Sequence, residues 1–86
     1  MNYDENKAKI LDKLMRLGKW EHAHTSIDNL TKGFPKHVRG DVKDIVKELI
    51  KSTWIKVKPT SYGIEVLLNI EKKKEIEEFI ERNSIK

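Results

Sequence analysis

The chain has 86 residues, enough for one core only, with 37% hydrophobic and 37% charged side chains, no cysteine and a net charge of +4. Those totals exclude a disulfide framework, a zinc–thiolate site and a thiol nucleophile, and no apolar run approaches the roughly 20 residues of a membrane helix. A pI near 9.3 favours a polyanionic partner.

Asp4 is placed to cap a first helix, with Glu5 in its first turn complementing the dipole. Ile10, Leu14 and Leu17 recur at helical spacing with Leu11 alongside, and Gly18 supplies the left-handed residue that ends many helices. Residues 20–25 are too short for a helix and are expected to form a small strand. Ser26 is the expected N-cap of a second helix, about residues 26–32, with Ile27 and Leu30 inward. Gly33 is expected to reverse the chain, Phe34 to plug the core, and Pro35 to open a third helix running to Lys51. In that helix Val38, Val42, Ile45, Val46, Leu49 and Ile50 fall within an arc of about 140° at 3.6 residues per turn.

A strand follows over Trp54–Lys58, with Ile55 and Val57 on one face and Trp54, Lys56 and Lys58 on the other. Residues 59–63 read as a turn, and Ile64, Val66 and Leu68 as the inward residues of a second strand, the pair spanning about residues 54–69. Asn69 is expected to cap a last helix over about residues 70–82, with Ile76, Phe79 and Ile80 as its apolar side. The predicted order is α-β-α-α-β-β with an added C-terminal helix, an α+β domain covering residues 1–86.

Charge is unevenly placed along that order. Residues 32–58 carry eight Lys/Arg against three acids, whereas residues 1–31 balance at five against five and residues 59–86 are one negative. The surplus therefore sits on the third helix and the strand after it.

The stretches Asn29-Leu30-Thr31-Lys32-Gly33-Phe34-Pro35, His37-Val38-Arg39-Gly40, Lys58-Pro59-Thr60-Ser61-Tyr62-Gly63 and Leu68-Asn69 resemble the winged helix-turn-helix superfamily. More narrowly they resemble small archaeal winged-helix proteins of poorly defined function, over half to two-thirds of the chain. The resemblance implies a three-helix core with a small antiparallel wing. Thr53 stands where a glycine would end the third helix, and Ile70 where proline would suit the first position of the last one.

The resemblance also implies that the third helix enters the major groove of duplex DNA, where base edges are distinguishable. Carried over by position, its contacts would come from Lys36, His37, Arg39, Gly40, Lys43 and Lys47. Lys43 and Lys47 lie one turn apart and suit phosphates or guanine, Arg39 suits a phosphate, and Gly40 either allows close approach or has no role. His37 is either a donor to the duplex or an unpartnered surface residue. Asp44 would repel phosphate, and an ion pair with Lys47 or Lys51 is expected to occupy it. From the wing, Lys56, Lys58, Thr60, Ser61 and Tyr62 would touch adjacent phosphates or the minor groove, with Tyr62 alternatively packing onto the wing base. Thr25 and Ser26 could hold a phosphate through nearby amides.

His22 and His24 would share one face of a strand but lack a third ligand, so no metal is expected. Trp20 and Trp54 read as core packing, and the Lys72-Lys73-Lys74 run as a solvated, self-paired face. No catalytic set or cofactor fingerprint is present, so neither enzyme activity nor a cofactor is expected. The expected function is a double-stranded DNA-binding protein acting as a transcriptional regulator. A protein-interaction winged helix and an RNA binder stay open as alternatives. A homodimer through Ile76, Phe79, Ile80 and helix one is an open alternative to packing of the last helix on the first. With no signal-like leader or membrane segment read, the expected location is the cytoplasm.

Overall fold

The computed structural model describes residues 3–61 and 63–83. Its order is α1 (Tyr3–Arg16), β1 (Thr25–Ser26), α2 (Ile27–Lys32), a 3-10 turn (Lys36–Val38), α3 (Arg39–Lys51), β2 (Ile55–Thr60), β3 (Gly63–Leu68), a second 3-10 turn (Ile70–Lys72) and α4 (Lys73–Asn83). The fold is α+β: four helices and a three-stranded antiparallel sheet in the order β1-β3-β2.

One hydrophobic cluster joins all layers. Ile10, Leu11 and Leu14 of α1 meet Leu30 of α2, Val42, Ile45, Val46 and Leu49 of α3, Ile55, Val66 and Leu68 of the sheet, and Ile76 and Ile80 of α4. Burying each such side chain contributes about 1.5–3 kcal/mol relative to leaving it in water. The inward periodicity of α3 is thus realised, with Ile50 only half-buried at its rim.

Several local expectations are corrected. Asp4 lies inside α1, in its first turn, rather than at a cap. Leu17 is 51% exposed, because α1 ends at Arg16. There Gly18 takes φ +67, its amide donates to Met15 O, and the Lys19 amide donates to Leu14 O. This crossed pair of hydrogen bonds is the Schellman closure. The expected strand over residues 20–25 shrinks to Thr25–Ser26, with Trp20 forming an isolated parallel bridge to Leu68. A turn intervenes, in which Glu21 adopts φ +53 and the Ala23 amide donates to Trp20 O. His22 and His24 therefore do not share a strand face.

Ser26 does cap α2, its Oγ accepting from the Asn29 amide at 3.1 Å. Gly33 does turn the chain after α2, but at φ −75°, a conformation that does not call for glycine. It leaves room instead. A Cβ there would sit 1.9 Å from Lys13 Nζ, which donates to Leu30 O at 3.2 Å. The third helix is not continuous from Pro35. Val38, at φ −108° and ψ 0°, breaks the run between the 3-10 turn and α3.

The hairpin is longer than expected. β2 continues through Pro59 to Thr60, and Thr60 pairs with Gly63. Pro59 is tolerated because β2 is an edge strand, where a missing amide proton breaks no ladder bond on the open side. Ile55, Val66 and Leu68 reach the core, whereas Val57 and Ile64 are 41% and 58% exposed. Leu67, on the other face, is buried as well, and the hairpin extends beyond the helices that could cover its tip.

α4 packs on α1. Ile76 is fully buried and Ile80 nearly so. Phe79 lies edge-on to Trp54, centroids 5.7 Å apart, with Lys7 Nζ over both rings. These three residues thus lie within one chain's own packing.

Candidate nucleic-acid interface

The residues of α3 outside the core divide into two flanks. At 100° per residue, Gly40, Lys43, Lys47 and Lys51 fall within about 80° of one another, and Asp41, Asp44 and Glu48 occupy the next 60° or so. All seven are exposed. The acidic flank faces the start of α1: the Tyr3 hydroxyl donates to Glu48 Oε2, and Asp41 and Asp44 line a cleft with Tyr3, Asn6 and Ile45. The expected ion pair of Asp44 with Lys47 or Lys51 does not form among the described residues. Lys43 and Lys47 are exposed and make no ion pair among the described residues, the acids of their own helix lying on the adjacent flank toward α1.

Lys36 and His37 belong to the 3-10 turn at the head of this helix and are exposed. Arg39 is different. It is half-buried, and its Nε donates to Phe34 O at 3.1 Å, so it closes the turn between α2 and α3. A Cβ built on Gly40 meets nothing within 4 Å. No contact inside the chain therefore requires glycine at this exposed helical position.

The hairpin supplies a second basic group. The register places Lys56, Lys58 and Thr60 on one face of β2, opposite Leu67, Glu65 and Gly63. Lys58 faces Glu65 across the ladder, but Glu65 Oε1 is held by His24 Nδ1 at 2.6 Å. Both side chains of that pair are less than 30% exposed. The Thr60 hydroxyl donates to Gly63 O at 2.9 Å, with Glu65 Oε2 at 3.5 Å, so it works in closing the hairpin. Ser61 is exposed at the tip, and Tyr62 lies outside the described residues.

Gly40, Lys43 and Lys47 thus lie along α3, Lys36 and His37 on the 3-10 turn that precedes it, and Lys56 and Lys58 on the strand that follows it. Comparison with family models, with curated proteins and with solved structures gives no match for this chain. The geometry stands by itself.

The His24–Glu65 pair escaped sequence reading because its partners are 41 residues apart. Its only trace there was an acid among the alternating residues of β3. Thr25 and Ser26 form β1, pairing with Val66 and Glu65. Thr25 is buried, and the Ser26 hydroxyl serves as the helix cap. Among the described residues no group of three or more His, Asp or Glu could hold a metal, and no helix is long and apolar enough to cross a membrane.

Proposed function

We propose that the chain is a winged-helix protein that binds double-stranded DNA, with α3 as the groove-facing helix, the β2–β3 hairpin as the wing, and transcriptional regulation as its role. The observation that carries this reading is the sorting of charge on α3: Lys43 and Lys47 on one flank, all three acids on the other. A helix that meets phosphates must keep carboxylates off the approaching side, and here they are turned to α1. The element order and the hairpin after α3 support the same reading.

Lys36, Lys43, Lys47, Lys56 and Lys58 are the phosphate ligands in this reading, with His37 and Gly40 nearest the bases. Five such contacts correspond to a slope of log K against log salt of about −4 to −5. Titration of a labelled sample with a generic duplex, read by amide shifts at low and then moderate salt, tests it. Shifts at residues 36–47 and on the hairpin that fade with salt are expected; affinity indifferent to salt overturns the reading. Competition with duplex RNA of the same sequence separates the two nucleic acids.

One observation favours a second reading, docking of another protein. β2 is an edge strand, and Val57 on it and Ile64 on the neighbouring β3 stay exposed in the same hairpin as Lys56 and Lys58. Reversal of Lys43 and Lys47 to Glu discriminates, since it should reduce duplex affinity by roughly 100-fold while leaving a hairpin-bound protein in place.

A further inference from the structure

β2 is an open edge of the sheet, and every second residue of it points its backbone groups outward. The Asn69 amide donates to Trp54 O at 2.9 Å, so the backbone of residue 54, and of each second residue after it, faces β3. Pro59, which has no amide proton, falls in the opposite set, as a proline on an edge must. Ile55 and Val57 therefore turn their N–H and C=O groups away from the sheet, and no other element bonds to them among the described residues. This edge opens onto a groove of about 610 Å³ beside the end of α3 and the turn Ile70–Lys72, with Ile50, Thr53, Ile55, Val57 and Glu71 in its lining. Val57 is 41% exposed and Ile50 half-buried. Lys56 and Lys58, on the alternate face of the strand, are exposed and make no ion pair among the described residues.

We propose that this edge takes up an extended acidic segment of another protein as a fourth strand, with carboxylates beside Lys56 and Lys58 and apolar side chains beside Val57. The proposal names the partner of the protein-docking reading and rests on it. Successive side chains of a strand alternate between faces, so one extended segment meets the lysines with every second residue and the groove with those between. Glu71 in the groove confines the acids of the segment to the lysine face. A second copy of this chain is the wrong occupant. An antiparallel pair of β2 strands centred on Val57 would set lysine directly opposite lysine, which destabilises a ladder. The lysines that bar such self-pairing attract a strand of opposite charge.

The probe is the capped peptide Ser-Glu-Val-Glu-Val-Glu-Ser, titrated into the ¹⁵N-labelled full chain. Amide shifts are expected at residues 55–58 and at Ile50, Thr53 and Glu71, with exchange slowed at the Ile55 and Val57 amides. Backbone methylation of the peptide separates strand pairing from attraction by charge alone. Methylated valine amides block antiparallel pairing and methylated glutamate amides block parallel pairing, with every charge kept. One of these two peptides should bind roughly 30-fold more weakly than the parent. Glutamine in place of the glutamates should weaken binding roughly tenfold. Val57→Pro, which removes an outward amide and no ladder bond, should weaken it as well; if that variant fails to fold, the peptide series still decides. Equal binding of both methylated peptides and the parent overturns the proposal. A glutamine peptide that binds β2 as tightly as the acidic one overturns the acidic partner and leaves the protein-docking reading in place. No shift on β2 with any of the peptides removes the edge as a docking surface, and that reading with it.

Discussion

Asn69 donates from its side-chain Nδ2 to the carbonyl of Thr53 at 2.7 Å, tying the end of β3 to the residue that ends α3. The same side chain accepts from the Glu71 amide at 3.1 Å, and the Asn69 backbone amide donates to Trp54 O at 2.9 Å. At Thr53 the chain takes φ +66, with the Thr53 amide donating to Ile50 O and the Trp54 amide to Leu49 O. This is the closure found at Gly18, built on a β-branched residue. A left-handed non-glycine residue costs about 1–2 kcal/mol, which the clamp at Asn69 offsets. Thr53→Gly should therefore raise stability by about 1 kcal/mol in urea unfolding. Asn69→Leu removes both side-chain bonds from a buried site and should cost about 2–3 kcal/mol. Destabilisation by Thr53→Gly would contradict this account.

The Tyr3 phenol has its pKa pushed up to about 12, chiefly by donating to Glu48, then by burial and by the charges of Glu48 and Asp4. The fold thus favours the protonated phenol. Its contribution is fully present below the unfolded value of about 10 and is lost as pH climbs through about 12. Tyrosinate absorbance should show one late-titrating tyrosine, absent in Tyr3→Phe. Glu48→Gln should move that titration back toward the ordinary range. Because Tyr3 is 43% exposed, solvent screens the effect and the loss of stability should be small.

Gly40 separates stability from function. Nothing within 4 Å opposes a methyl group there. Gly40→Ala should stabilise α3 by about 1 kcal/mol through helix propensity alone. If α3 lies close to a duplex, the same change should weaken DNA binding while raising the melting temperature. Unchanged affinity would place Gly40 outside the contact surface.

The contact of His24 with Glu65 fastens the segment before β1 to the middle of β3, opposite Lys58. Glu65→Gln should cost about 1–2 kcal/mol, the range for a half-buried hydrogen bond to a charged group. Amide exchange should quicken at the two-residue strand Thr25–Ser26 before it does in α3. Uniform quickening across the chain would mean that the pair stabilises the whole fold and not this edge.

Local pattern carried the helices, the hairpin and the two side-chain caps, because each depends on residues a few positions apart. Ser26 and Asn69 cap where their sequence positions indicate, since an N-cap needs only its own side chain and an amide two or three residues on, although Asn69 caps the 3-10 turn Ile70–Lys72 and the expected helix from 70 begins as α4 only at Lys73. The inward faces of α1 and α3 follow from 3.6-residue periodicity in the same way. What residue order left open was decided by which element lies beside which. Tertiary packing turned the acids of α3 toward Tyr3 and Asn6, gave Arg39 to the carbonyl of Phe34, and bound His24 to Glu65 across 41 positions. It also left Ile64 uncovered at the tip of a strand whose alternation marked it as inward. Alternation specifies a face, but burial requires a neighbour, and none of the helices reaches that far.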